Sequence, residues 1–201
     1  MSPEFLDHSL AEENKGKRAL VLIQGTGAVR AGQWARSVCI NENLEQGSML
    51  PFVDLCRNLS IPVLVMNPNM SIDPESKQTI PFSQSMDVHA CFVWNFYVKE
   101  SGFDQISIVA HSAGGGCLAA IQKTFAETFY NQVVNIAYTD SWTIGRDELN
   151  EEQRQFMWQK AKHYEASDKP VGTVLSENSQ MHAVPQYSAG HTRHEYTTGT
   201  S

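Results

Sequence analysis

Residues 105–117 read QISIVAHSAGGGC, and this stretch decides the fold. Ile106, Ile108 and Val109 form a short apolar run, as a strand covered on both faces requires. The run stops at Ala110-His111-Ser112-Ala113-Gly114, where small residues crowd a turn. Cys117, Leu118, Ala119, Ile121 and Phe125 then recur at helical spacing. Strand, tight turn and helix around a serine make a G-x-S-x-G elbow, here with Ala110 in place of the first glycine. Such a turn lifts the Ser112 hydroxyl above the sheet edge and points the N–H of Ala113 at the same space. The plainer reading of these residues is a glycine-rich helix start that packs closely or binds an anion.

Working outward, apolar runs at residues 19–23 (ALVLI), 61–66 (IPVLVM) and 133–138 (VVNIAY) predict three more strands, and 181–188 a last short one. Helical spacing predicts helices over 50–59, 86–100, from the elbow to about 130, and over 150–165. In the second of these, Val88, Phe92, Val93, Phe96 and Tyr97 fall on one face. Trp34, Val38 and Ile40 are expected in the core. Strands alternating with helices predict an α/β fold: a mostly parallel sheet with helices on both faces, an α/β-hydrolase-like three-layer sandwich. It is expected as one domain over residues 18–196, between a polar tail at 1–17 and a short tail at 197–201. Ligands of such sheets bind outside the carboxyl ends of the strands. Residues 24–27 (QGTG), Ser112, Asp140 and the loop carrying His194 each follow a strand, so they converge on that edge.

The 201 residues are 41% hydrophobic and 18% charged, which suits an ordinary globular domain. The net charge of −7 argues against a broad phosphate-binding surface, and no direct nucleic-acid contact is expected. No apolar stretch of about 18 residues is present, so no membrane partner is expected. Cys39, Cys56, Cys91 and Cys117 form no C-x-x-C pair and read as reduced thiols. With no apolar N-terminal leader, the chain is expected in the nucleus or cytoplasm rather than secreted.

Acyl transfer by a serine needs a base to take its proton and an acid to orient that base. Ser112, Asp140 and His194 stand in the Ser, Asp, His order of α/β-hydrolases. Asp147 and Asp168 are the alternative acids, and His191 competes with His194 as the base. His111 reads as a lining residue of the elbow, and His8, His89, His163 and His182 as surface or satisfied histidines. Gly25, Thr26 and Gly27, just past the first strand, form a loop whose N–H groups can join that of Ala113 as an oxyanion hole. No dinucleotide or P-loop pattern follows that strand, so no cofactor is expected. His191 and His194 are spaced to share a metal, but no carboxylate or cysteine cluster supports one, and no metal is expected.

These residues also carry a resemblance. Residues 22–34 (LIQGTGAVRAGQW), continuing through Ala35-Arg36 and Ile40-Asn41-Glu42, look like the domain family of the second Argonaute-binding protein. Further matches are Asn67-Pro68-Asn69, Val109-Ala110-His111-Ser112 with Gly114-Gly115, Thr139-Asp140-Ser141, Ser188-Ala189-Gly190 and Arg193-His194-Glu195. Animal members of the family are known as cotranscriptional regulators, and the domain is also appended to some histone deacetylases. The resemblance implies an α/β-hydrolase-like fold and favours His194 over His191 as the base. It implies a role in RNA silencing, heterochromatin or splicing control through Argonaute and chromatin-associated proteins. The alternative is a serine esterase or deacylase acting on a small acyl substrate with no silencing role. Two positions depart from the family pattern. Ala113 stands where a larger residue is usual, and His191 replaces a smaller polar one.

Overall fold

The computed structural model describes residues 13, 14 and 16–200. His8 and most of the expected N-terminal tail lie outside the described residues. Among the described residues, seven strands form one sheet: β1 (Arg18–Ile23), β2 (Val63–Val65), β3 (Gln105–His111), β4 (Val133–Thr139), β5 (Ala161–Glu165), β6 (Val174–Ser176) and β7 (Gln186–Ser188). Their order is β2-β1-β3-β4-β5-β7-β6. Every pairing is parallel except β6 with β7. The expected α/β, hydrolase-like architecture is therefore present.

Alternation along β1 builds two cores. Val21 and Ile23 face one side, with Ile106, Ile108, Ile136 and Tyr138, under the helices Met86–Val93, Gly114–Thr124 and Ala126–Gln132. Leu20 and Leu22 face the other, with Val109, Trp34, Met49 and Cys56, beneath the helix Leu50–Asn58. A strand's side chains alternate between faces, so one apolar run serves both layers.

Register then sets the site. His111 pairs with Thr139, and Thr139 with Tyr164. Ile23 pairs with Ala110. The residues that follow these pairs, Gly25, Ser112 and Asp140, are thereby placed side by side past the sheet edge.

Several expectations need correction. The helix expected over 150–165 ends at Lys160, and Ala161–Glu165 is strand β5. Strand β6 had no counterpart in the sequence reading, and the helix expected from the elbow to 130 is two helices meeting at Phe125. In the helix starting at Met86, the buried positions are Ala90, Val93, Trp94 and Val98, while Val88 and Tyr97 are exposed. A π-turn over Trp94–Val98 shifts the apolar stripe there. Ile40 is 68% exposed rather than in the core. The tail expected at 197–201 is a helical turn over Thr197–Thr200, with Thr197 and Thr198 buried. None of the described helices is long and apolar enough to cross a membrane.

Candidate functional site

Ser112 sits at φ 54°, in the left-handed region that non-glycine residues avoid. Strain of this kind costs about 1–3 kcal/mol and persists only where the surroundings over-determine it. They do so here. The Ser112 carbonyl accepts bonds from Ser141 Oγ at 2.6 Å, the Trp142 N–H at 3.3 Å and the Gly115 N–H at 3.2 Å. The Ser112 N–H donates to the Thr139 carbonyl at 3.2 Å.

The glycines follow from this crowding. A Cβ on Gly25 would stand 2.7 Å from Ser112 Cβ and 3.1 Å from its Oγ, and one on Gly114 would meet the Ile23 carbonyl oxygen at 2.6 Å. A Cβ on Gly115 would overlap the Trp142 carbonyl oxygen and Ser141 Oγ. Gly115→Ala is therefore expected to cost about 3 kcal/mol, because backbone faces backbone and no rotamer relieves the overlap. Urea denaturation checks this. A loss under about 0.5 kcal/mol would mean that the Ser141–Trp142 segment is free to move.

Asp140 also has a left-handed backbone, at φ 42°. Its N–H donates to the Tyr164 carbonyl at 2.7 Å, and its Oδ1 accepts from the Ala166 N–H at 3.2 Å. Its Oδ2 is 2.6 Å from His194 Nδ1. The acid and base expected from the sequence are thus hydrogen-bonded across 54 residues. The alternatives lie elsewhere. Asp147 is fully exposed beside Arg146, Asp168 is exposed, and His191 stacks on Tyr196 with ring centroids 4.4 Å apart.

Ser112 and His194 line one cavity of about 230 Å³, together with Gly25, Thr26, Trp34, Arg36, His111 and Glu195. No hydrogen bond joins Ser112 Oγ to His194 among the described residues, so of the two links expected between Ser112, His194 and Asp140 only the second is made. Of the expected oxyanion residues, Gly25 and Thr26 lie in the lining. Ala113 is buried directly after Ser112, and its N–H donates to no acceptor among the described residues. Gly27, at φ 113°, stands outside the lining.

Three residues matter more than the sequence indicated. The His111 ring stacks on that of His194, with centroids 4.7 Å apart. Its Nδ1 lies 2.8 Å from the Thr139 carbonyl oxygen, which can only accept, so Nδ1 carries the proton. Burial first, and then the neighbouring His194, hold His111 down to about 4. Thr198 Oγ1 braces the same ring at 3.0 Å and bonds Thr139 Oγ1 at 2.7 Å. No local pattern at residue 198 signals this role, which depends on where the last turn lands. His163, in β5, accepts the Ser141 N–H at Nε2, 3.1 Å away. Burial holds His163 down to about 4 as well. Its Nδ1, 3.3 Å from Glu165, therefore meets the carboxylate as a neutral donor rather than as an ion pair.

The Arb2 domain model matches residues 69–171, just over half of the chain. The human cotranscriptional regulator ARB2A is 27% identical over 92% of this chain and 56% of its own. The ARB2A homolog of Dictyostelium discoideum is 28% identical over 90% of this chain and 55% of its own. A FAM172 family protein homolog of Caenorhabditis elegans is 40% identical over 63% of this chain and 39% of its own. The chain thus spans about half the length of such relatives. Among solved structures, the histone deacetylase Clr3 overlays with a TM-score of 0.54 at 11% identity, over 89% of this chain and 29% of that one. That likeness concerns the fold alone. Ser112 and Asp140 fall inside the family match, while the Gly25 loop and His194 reach the site from outside it. By this match over the central strand, elbow and acid, the chain belongs to the Arb2 domain family.

Proposed function

We propose that this domain is a serine acyl hydrolase that works within cotranscriptional regulation. The observation that carries the chemistry is the 2.6 Å bond between Asp140 and His194 at the cavity holding the strained Ser112. With Nδ1–H donated to Asp140, His194 keeps Nε2 unprotonated and able to take a proton. Ser112 Oγ attacks an acyl carbon while His194 Nε2 takes its hydrogen. The leaving group departs with that proton, and water then frees the acyl group from Ser112 by the same route. The N–H groups of Ala113, Gly25 and Thr26 are the donors for the transient oxyanion. The open Ser112–His194 link closes around a bound acyl group, since catalytic hydrogen bonds tighten on binding.

The regulatory half rests on the names of the relatives, which are cotranscriptional regulators. In this reading the domain meets Argonaute and chromatin-associated proteins in the nucleus, in RNA silencing or heterochromatin control. Exposed Ile40, Leu44 and Trp142 offer apolar contact area for such partners. A purified Argonaute that binds neither the parent protein nor its Ser112→Ala variant would remove this half and leave the chemistry standing.

The chemistry is tested with a fluorophosphonate probe. The native protein is expected to be labelled at one site, with labelling lost on heating and in Ser112→Ala. A folded protein that resists labelling, or labelling that survives Ser112→Ala, would overturn it.

A further inference from the structure

Two of the residues that line the Ser112 cavity, Trp34 and Arg36, carry side-chain donors without a partner among the described residues. Trp34 is 2% exposed and lines the cavity, yet its indole N–H finds no acceptor among the described residues. A buried donor left unpaired is costly, so a site that keeps one is shaped for an acceptor. Two residues along, Arg36 lines the same cavity, and among the described residues it makes no ion pair, although Glu42 and Glu45 are close in sequence. Glu42 is engaged by the Tyr196 hydroxyl at 2.9 Å. Glu195, the carboxylate of this lining, is taken by Arg193 at 2.6 Å. An exposed arginine without an ion pair and a buried N–H without an acceptor in one lining, in a chain of net charge −7, are a local preference for a negatively charged acceptor. The volume of about 230 Å³ is below the usual range of small-molecule sites, which favours a small acyl group.

We infer that the cavity takes a short acyl group ending in a carboxylate, held by Arg36 and the Trp34 N–H while Ser112 attacks the ester carbonyl at its other end. This deepens the hydrolase reading and rests on it for the covalent step. In that step the Ser112 Oγ–carbon bond forms as the carbon–oxygen bond to the alcohol breaks. The serine proton passes through His194 to the alcohol. Water then cleaves the acyl-serine, giving a dicarboxylic acid and free Ser112.

The test has two arms. In the first, kcat/KM is compared for the mono-p-nitrophenyl ester of glutaric acid and for p-nitrophenyl butyrate. A preference of roughly tenfold or more for the acidic ester is expected. Arg36→Gln should abolish it and Arg36→Lys retain part of it. Arg30→Gln, on the exposed loop outside the lining, should leave it intact. In the second arm, glutarate is added to the Ser112→Ala protein, where no turnover intervenes. A rise in Tm is expected that neutral 1,5-pentanediol does not give and that Arg36→Gln removes. Glutarate binding without cleavage of either ester would keep the carboxylate site and remove the serine chemistry. Cleavage of both esters at equal rates, or glutarate acting equally on the Arg36→Gln protein, would overturn the inference.

Discussion

Asp140→Asn is expected to slow the reaction of Ser112 with a fluorophosphonate about ten-thousand-fold while leaving the fold intact. The argument lies in two hydrogen bonds. Asp140 Oδ1 accepts the Ala166 N–H at 3.2 Å, and Oδ2 faces His194 Nδ1 at 2.6 Å. An asparagine has one acceptor and one amide group, and the Ala166 N–H claims the acceptor. The amide of the new residue then points at His194 Nδ1, which must become an acceptor. The His194 proton moves to Nε2, the nitrogen that has to receive the Ser112 hydrogen, and the base is blocked. Asparagine tolerates the left-handed backbone at φ 42°, so stability should change by less than about 1 kcal/mol. Labelling rates and thermal melting, measured together, separate the two effects. A fall in labelling below tenfold would mean that Asp140 does not set the tautomer of His194.

The elbow was legible because everything it needs is local: an apolar strand, small residues and a helix start within thirteen positions. The acid and base were legible only through chain order and resemblance. Nothing near residue 140 or 194 states that their side chains meet. What the sequence hid has physical reasons. Val38 and Ile40 are two positions apart, about 200° around a helix, so a single buried face cannot take both. Val38 is buried and Ile40 is left to solvent. Strand β5 follows a polar helix with no glycine or proline between them, and a five-residue strand offers too few alternations to outweigh the helical pattern before it. Once β5 is read as helix, His163 reads only as a surface or satisfied histidine, and the support it gives Ser141 and so the Ser112 carbonyl disappears from view. The same holds for Thr198, whose contact with His111 exists only because the last turn, Thr197–Thr200, lands where β3 and β4 end in register.

His163 and His111 carry the second large expectation, which concerns acid. His111 and His163 are each held from 6.5 down to about 4, in both cases chiefly by burial. Above pH 6.5 both are neutral in the folded and the unfolded chain, and titration contributes nothing to stability. Between pH 6.5 and about 4 only the unfolded chain takes up these protons, so stability falls as the pH falls. Each histidine costs about 1.4 kcal/mol per pH unit in that window. At pH 5 the two together remove about 4 kcal/mol, a large share of what a domain of this size holds. Glu165, 3.3 Å from His163, works in the opposite sense. Its own burial and then Asp140 push its carboxyl up, so the folded state takes up a proton there and offsets part of the loss. Urea unfolding at pH 7.5 and pH 5.0 measures the difference. His111→Asn keeps a donor for the Thr139 carbonyl but cannot be protonated, and it should recover about half of the pH-dependent loss whatever it does to stability at pH 7.5. Equal stability of the parent protein at the two pH values would mean that these rings are charged in the fold. The Nε2 of His163 could not then accept the Ser141 N–H, and the hold on the Ser112 elbow would need another source.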